Sequence, residues 1–129
     1  MKAATIEQLY AEVTESLLMA ERLEGDGDVA EAAAEYVRVS MLEEQIAECL
    51  PADDEEGAIA RRGAVSAAIQ AGTRERALDL AARYLEEGGS AEHLERLGDL
   101  EREAKASSGP STDIEIRTRA RFRFRDHAA

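Results

Sequence analysis

Histidine and cysteine are frequent at catalytic and metal sites, and this chain contains few of them. Its 129 residues include two histidines, His93 and His127, and one cysteine, Cys49. No Glu-x-x-His pair occurs, although helical carboxylate sites that hold two metal ions use such pairs. Neither a phosphate-binding glycine loop nor a nucleophile beside a base can be recognised. We therefore predict no catalytic residue, no metal and no cofactor, and we expect that the protein is not an enzyme.

The sequence around these residues indicates structural or surface positions. Cys49 lies among Ile46, Ala47 and Leu50, so we expect it to be a small buried hydrophobic residue. His93 falls in the first turn of a predicted helix, where we expect it on the surface.

Carboxylates outnumber cations in the chain, with 28 Asp and Glu against 16 Lys and Arg and a formal net charge of −12. Helix caps and solvated helix faces account for the clusters of acids at 43–48, 53–56, 86–87 and 101–103. A body of this charge repels nucleic acid and anionic membranes, so neither is an expected partner. Arg61 and Arg62 are adjacent cations in the otherwise acidic body of the chain. They either contact an acidic peptide or pair with nearby acids such as Asp54 and Glu55.

The last sixteen residues have the opposite character, with five Arg against two acids. Apolar residues alternate with charged ones from 114 to 125, a period of two that predicts a strand with an apolar and a cationic face. A single strand needs a partner for its backbone groups, so we expect it to join another sheet edge or its own copy. Binding of nucleic acid by this segment and a disordered tail remain the alternatives. The predicted partner-binding residues are Ile114, Ile116, Phe122, Phe124, Arg117, Arg119, Arg121, Arg123, Arg61 and Arg62.

Helical periodicity and start signals predict five helices before this tail. Aromatic residues make up only 4% of the chain and Trp is absent, so Ala and Leu must fill the core, which favours closely packed helices. We predict an all-α fold with two antiparallel helical hairpins and a fifth helix over residues 1–106. A linker at 107–113 then leads to the strand-forming tail at 114–129. The predicted helix starts are Thr5 with Gln8, Asp28 with Glu31, Asp53 with Glu56, Thr73 and Ser90.

The two hairpins share small residues at a fixed offset. Gly27 and Ala32 recur as Gly72 and Ala77, and the position of Tyr36 is taken by Ala81 in the second hairpin. Over residues 5–87 this pattern resembles the glycine–alanine–aromatic half of a tetratricopeptide repeat, although the offset of 45 residues is longer than that family's period of about 34. The resemblance implies that the first helix of each hairpin lines a groove that binds a peptide.

These features together favour binding over chemistry. We expect a protein–protein interaction module, such as an adaptor, a chaperone-like factor or an assembly subunit, that uses the hairpin surface and the terminal strand. The expected partner is another protein or a second copy of the chain. The alternative is a small acidic inhibitor that imitates the charge of nucleic acid in a basic enzyme site. Because no signal sequence or membrane-spanning run is recognisable, we expect a cytoplasmic location.

Overall fold

The structure is a computed structural model that describes residues 5–107, and these residues form five α-helices. The predicted strand at 114–129 lies outside the described residues. Within residues 5–107 no helix is long and apolar enough to cross a membrane. The helices are α1 (Ile6–Gly25), α2 (Val29–Cys49), α3 (Glu55–Gln70), α4 (Arg74–Glu87) and α5 (Ala91–Ala106).

Side-chain caps fix some of the helix starts where the sequence predicts them. The capping box of Thr5 and Gln8 is present at α1, and the Ser90 hydroxyl accepts a hydrogen bond from the His93 amide at α5. Asp28 is the N-cap residue of α2, as predicted, but its side chain makes no capping hydrogen bond. One expectation is wrong, because the cap of α3 is Asp54 rather than its neighbour at 53.

Each helix packs against the next one along the chain, and α3 also packs against α5. The connections between helices are only three to five residues long, which reverses the chain direction at each one. Gly27 and Gly72 sit in two of these turns with φ angles of 85° and 78°, a region that favours glycine. The central helix α3 is buried along most of its length because three other helices cover it.

Small side chains fill the centre of the helical domain. In α3, Ala60, Ala64 and Ala68 are buried one turn apart, which lets the neighbouring helices approach closely. Ala32 and Ala77, the alanines shared by the two hairpins, are buried as well. The main core cluster draws residues from all five helices, whereas a second, smaller cluster joins the end of α1 to the start of α2 and the end of α3.

Cys49, which was expected to be buried, is exposed, and so are some large apolar side chains of the helices. Cys49, the last residue of α2, is exposed although Ile46 and Ala47 in the preceding turn are buried. Met41 and Ile59 are each about half-exposed, since the buried stripe of their helices is narrower than the apolar pattern of the sequence.

Candidate functional site

A cluster of polar side chains lies where the end of α2, the start of α3, the end of α4 and the start of α5 meet, and Arg61, Tyr84 and His93 are its buried members. Burying a polar group costs free energy unless the group is hydrogen-bonded. Buried polar groups with shifted pKa values are frequent at functional sites. The members of this polar cluster are Arg61, Arg62, Tyr84, Glu87 and His93.

Arg61 is the centre of the polar cluster, and only 6% of it is exposed. Its Nε donates to Oε1 of Glu87 at 2.7 Å, and its Nη1 donates to the backbone oxygens of Leu50 and Gly57. The guanidinium also lies 5.6 Å from the ring centre of Tyr84, a distance typical of a cation–π contact. Because three hydrogen bonds and the ring contact hold it in place, Arg61 links the α2–α3 connection to the end of α4.

Arg62 points to a different partner. Its Nη1 lies 3.0 Å from Nδ1 of His93. A guanidinium can only donate, so Nδ1 is the acceptor and the proton of the neutral ring is on Nε2. Nε2 is buried and has no hydrogen-bond partner within residues 5–107.

His93 is 1% exposed, so the expectation of a surface histidine is wrong. Its ring fits beneath the α4–α5 connection, where a Cβ atom at position 89 would come within 2.7 Å of the ring carbon Cδ2. Burial, together with the charges of Arg62 and Arg61, lowers the pKa of His93, and the smaller effect of Glu87 opposes this shift. The imidazole is therefore held in its neutral form.

Tyr84 lines a cavity of about 270 Å³ beside Arg61. The tyrosine is 3% exposed, and its buried hydroxyl has no partner in hydrogen-bond geometry in the described part of the chain. Arg83 lies over the same ring, 5.3 Å from its centre. Burial raises the pKa of Tyr84 above its usual value, so the hydroxyl keeps its proton at neutral pH. The residues that line the cavity are Ala47, Glu48, Leu50, Arg61, Arg83, Tyr84 and Glu87.

A network of ion pairs closes the outer side of this region between α2 and α4. Glu44 accepts from Arg76 at 2.8 Å and from Arg83 at 2.6 Å. Burial works to raise the pKa of Glu44, but these two hydrogen bonds outweigh it, and the pKa lies below the usual value. The Nε of Arg76 also donates to the hydroxyl of Ser40, which in turn donates to the backbone oxygen of Ala64. The network therefore couples α2, α3 and α4.

The structure places the predicted binding residues in two groups. Arg61 and Arg62 both belong to the polar cluster, but their direct contacts are Glu87 and His93 rather than Asp54 or Glu55. The eight predicted residues of the tail lie outside the described residues. Within residues 5–107 no group of three or more His, Cys, Asp or Glu side chains could hold a metal ion.

Comparison of the chain with protein families, with curated proteins and with solved structures gave no significant match.

Sequence analysis missed Tyr84, Arg83 and His93 as members of a site. A single signal was available for Tyr84, which is one of only three tyrosines in a chain that is 4% aromatic. The partners of Arg61 and Arg62 lie 26 and 31 residues away in sequence, so no local spacing reveals them.

Proposed function

We propose that the protein is a protein–protein interaction module that associates through its helical surface and its terminal segment. The observation that carries the proposal is a difference between the two ends of the row of helices. The α5 end has the surface of a terminal helix, whereas the α1 end leaves large apolar side chains exposed.

The outer surface of α5 is covered by short-range ion pairs. Arg96 pairs with Glu92, and Lys105 pairs with Glu101, in each case across one helical turn. No large hydrophobic side chain of α5 is exposed. A polar outer face of this kind is typical of the helix that ends a helical array and needs no further cover.

The α1 end is different. Leu18 and Met19 are 59% and 42% exposed, which is unusual for two adjacent large apolar side chains. Acids dominate the rest of α1, with five Glu against the single cation Arg22. A partner for this face must therefore supply apolar side chains and positive charge together.

The segment at 114–125 has this composition, since Ile and Phe alternate there with Arg. We take the partner to be a second copy of the chain, whose tail lies on α1. Apolar contacts supply most of the affinity, and the Arg side chains select the acidic face. A tetratricopeptide-like arrangement of the hairpins and a cytoplasmic location belong to the same proposal.

The mass of the protein in solution tests the proposal. We expect the full chain to form a dimer or larger assembly, and both a chain ending at Ser107 and a Leu18→Ser/Met19→Ser variant to be monomeric. Met41→Ser is the matched control, because Met41 is similarly exposed but lies on α2. Circular dichroism must show that each variant keeps its helices. A monomeric full chain, or an assembly that persists in the Leu18→Ser/Met19→Ser variant, contradicts the proposal.

A further inference from the structure

We propose that the cavity beside Tyr84 is a binding site for an oxyanion, either a carboxylate or a phosphate group. The inference is independent of the association proposed above, because it uses neither α1 nor the tail. It starts from the hydroxyl of Tyr84, which is buried without a partner within residues 5–107. An unsatisfied buried hydroxyl is costly, and a ligand that accepts its hydrogen bond removes that cost.

The other free donors at the cavity belong to two guanidinium groups. Arg61 uses Nε and Nη1 for contacts within the protein, and its Nη2 makes no hydrogen bond to any described residue. Arg83 donates from Nη2 to Glu44, and its guanidinium also lies close to the Tyr84 hydroxyl. Both residues and Tyr84 line the same cavity. Tyr84, Arg61 and Arg83 thus bring O–H and N–H donors to one cavity, and within residues 5–107 the Tyr84 hydroxyl and Nη2 of Arg61 have no acceptor.

The protonation state of Tyr84 fixes the kind of ligand that fits. Because burial keeps the phenol protonated, the hydroxyl has a hydrogen to donate and needs an acceptor. A cationic ligand would meet two guanidinium groups that already lie over the ring. An oxyanion instead accepts charge-assisted hydrogen bonds from Arg and a further bond from Tyr.

Two carboxylates also line the cavity, and they limit the size and charge of the ligand. Glu87 is paired with Arg61, so its charge is largely compensated. Glu48 is exposed to solvent, which screens its charge. A volume of about 270 Å³ admits a small oxyanion or one acidic side chain. We therefore expect weak, saturable binding of a single such group.

Nuclear magnetic resonance of the full chain tests the site with two probes, sodium acetate and sodium phosphate. Sodium chloride at equal ionic strength is the reference. We expect saturable shifts of the Nε–H signals of Arg61 and Arg83 and of the Tyr84 ring. Saturation by acetate alone identifies a carboxylate site, and tighter saturation by phosphate identifies a phosphate site. If neither probe shifts these signals beyond the chloride reference, the proposal is wrong.

Tyr84→Phe removes the hydroxyl and leaves the ring. We expect it to weaken binding of the probe roughly tenfold, because a hydrogen bond to a charged acceptor is lost. The variant should also melt at the same temperature as the unchanged protein or higher, because within residues 5–107 the hydroxyl has no hydrogen-bond partner to lose. Tyr10→Phe, which removes a tyrosine hydroxyl on α1, is the control and should bind the probe normally. Unchanged binding by Tyr84→Phe, or a lower melting temperature, overturns the proposal.

Arg83→Gln provides a second variant that does not disturb the core, since Arg83 is half-exposed. It should weaken probe binding, whereas Arg38→Gln should not. Arg38 is the matched control because it is also half-exposed and paired with a Glu, but it lies between α1 and α2. Equal binding by both variants contradicts a role for Arg83 in the site.

Discussion

Arg61 shows why the polar cluster needs these particular side chains. Its planar group makes two donations to backbone oxygens and one to Glu87, and it stacks on the ring of Tyr84. The ammonium of a lysine is a point charge that cannot reproduce this set of contacts. A buried charge that loses its partners is strongly destabilising. The position of Arg61 therefore depends on Glu87, the Tyr84 ring and the two backbone oxygens together.

His93 makes the stability of the fold depend on pH. Burial and the charges of Arg62 and Arg61 lower its pKa in the folded state, while the unfolded chain keeps an ordinary value near 6.5. The folded state then binds the proton more weakly. The stabilising contribution is complete above pH 6.5 and is lost as the pH falls below it. We expect the melting temperature of the protein to decrease from pH 7.5 to 5.5 relative to that of His93→Gln.

At each pH, the difference in melting temperature between the unchanged protein and His93→Gln separates the effect of His93 from that of the other titrating groups. His127→Gln is the control, since it removes the only other histidine. We expect this control to follow the unchanged protein at every pH. A His93→Gln variant that loses stability in parallel with the unchanged protein would show that His93 does not titrate as inferred.

Glu43 makes the stability of the fold depend on pH in the opposite direction to His93. Burial raises its pKa to about 7, and its carboxylate lies against the backbone of Gly63. The folded state binds the proton more tightly than the unfolded chain, so stability falls as the pH rises from about 4.5 to about 7. At pH 8 we expect Glu43→Gln to stabilise the protein by roughly 1 to 3 kcal/mol, measured by urea unfolding. Glu44→Gln is the control and should destabilise, because that carboxylate has two Arg partners.

At the scale of the helices, two glycines predict opposite responses to the same substitution. A Cβ atom at Gly57, in the first turn of α3, would collide with the backbone oxygen of Pro51. We expect Gly57→Ala to lower the free energy of unfolding by roughly 1 to 3 kcal/mol, the usual cost of overpacking. At Gly98 in α5 the nearest atom is Arg102 Nη1 at 3.6 Å, so Gly98→Ala should stabilise by about 0.5 to 1 kcal/mol. Urea unfolding of both variants measures the difference.

The backbone oxygen of Pro51 cannot move aside as a side chain can. Gly57→Ala is therefore expected to lower the free energy of unfolding. If both alanine variants are stabilised, the α2–α3 connection is not as close to α3 as the structure shows. The position of Arg61 would then be in question too, because it bonds to the same connection.

The helices themselves were largely predictable from the sequence. Three helices begin or end beside local signals in the sequence. Helix α1 ends at Gly25, α2 ends before Pro51, and α5 begins after Ser90. The cap of α3 lies one residue later than predicted, and the Asp28 side chain makes no capping hydrogen bond, because caps depend on the backbone angles at a single residue. Burial at the helix ends was not predictable for Cys49 and His93, since it depends on which neighbouring helix covers them.

At the scale of the whole molecule, sequence analysis found two members of the polar cluster but not the cluster. Arg61 and Arg62 were noticeable because adjacent cations are rare in an acidic stretch. Tyr84, Glu87 and His93 come from α4 and α5, and only the packing of those helices on α3 brings them to the two arginines. The cavity with its unpartnered hydroxyl depends on that packing as well.

The tail provides the last prediction, which concerns association of the whole chain. If residues 114–124 bind through their apolar face, burying Phe122 and Phe124 contributes roughly 1.5 to 3 kcal/mol each. Exposed Arg contacts contribute about 0 to 1 kcal/mol per pair and weaken with salt. We therefore expect Phe122→Ser/Phe124→Ser to dissociate the assembly at any salt concentration. Arg119→Gln/Arg121→Gln should weaken it slightly, and mainly at low salt.

Analytical ultracentrifugation of both double variants at low and high salt measures these differences. The two variants are matched, since each changes two side chains of the same segment and leaves residues 5–107 untouched. If the Arg variant dissociates and the Phe variant does not, the contact is electrostatic. A partner rich in acidic groups, or a nucleic acid, would then replace the apolar contact as the explanation of the tail, because a surplus of five Arg over two acids attracts either one.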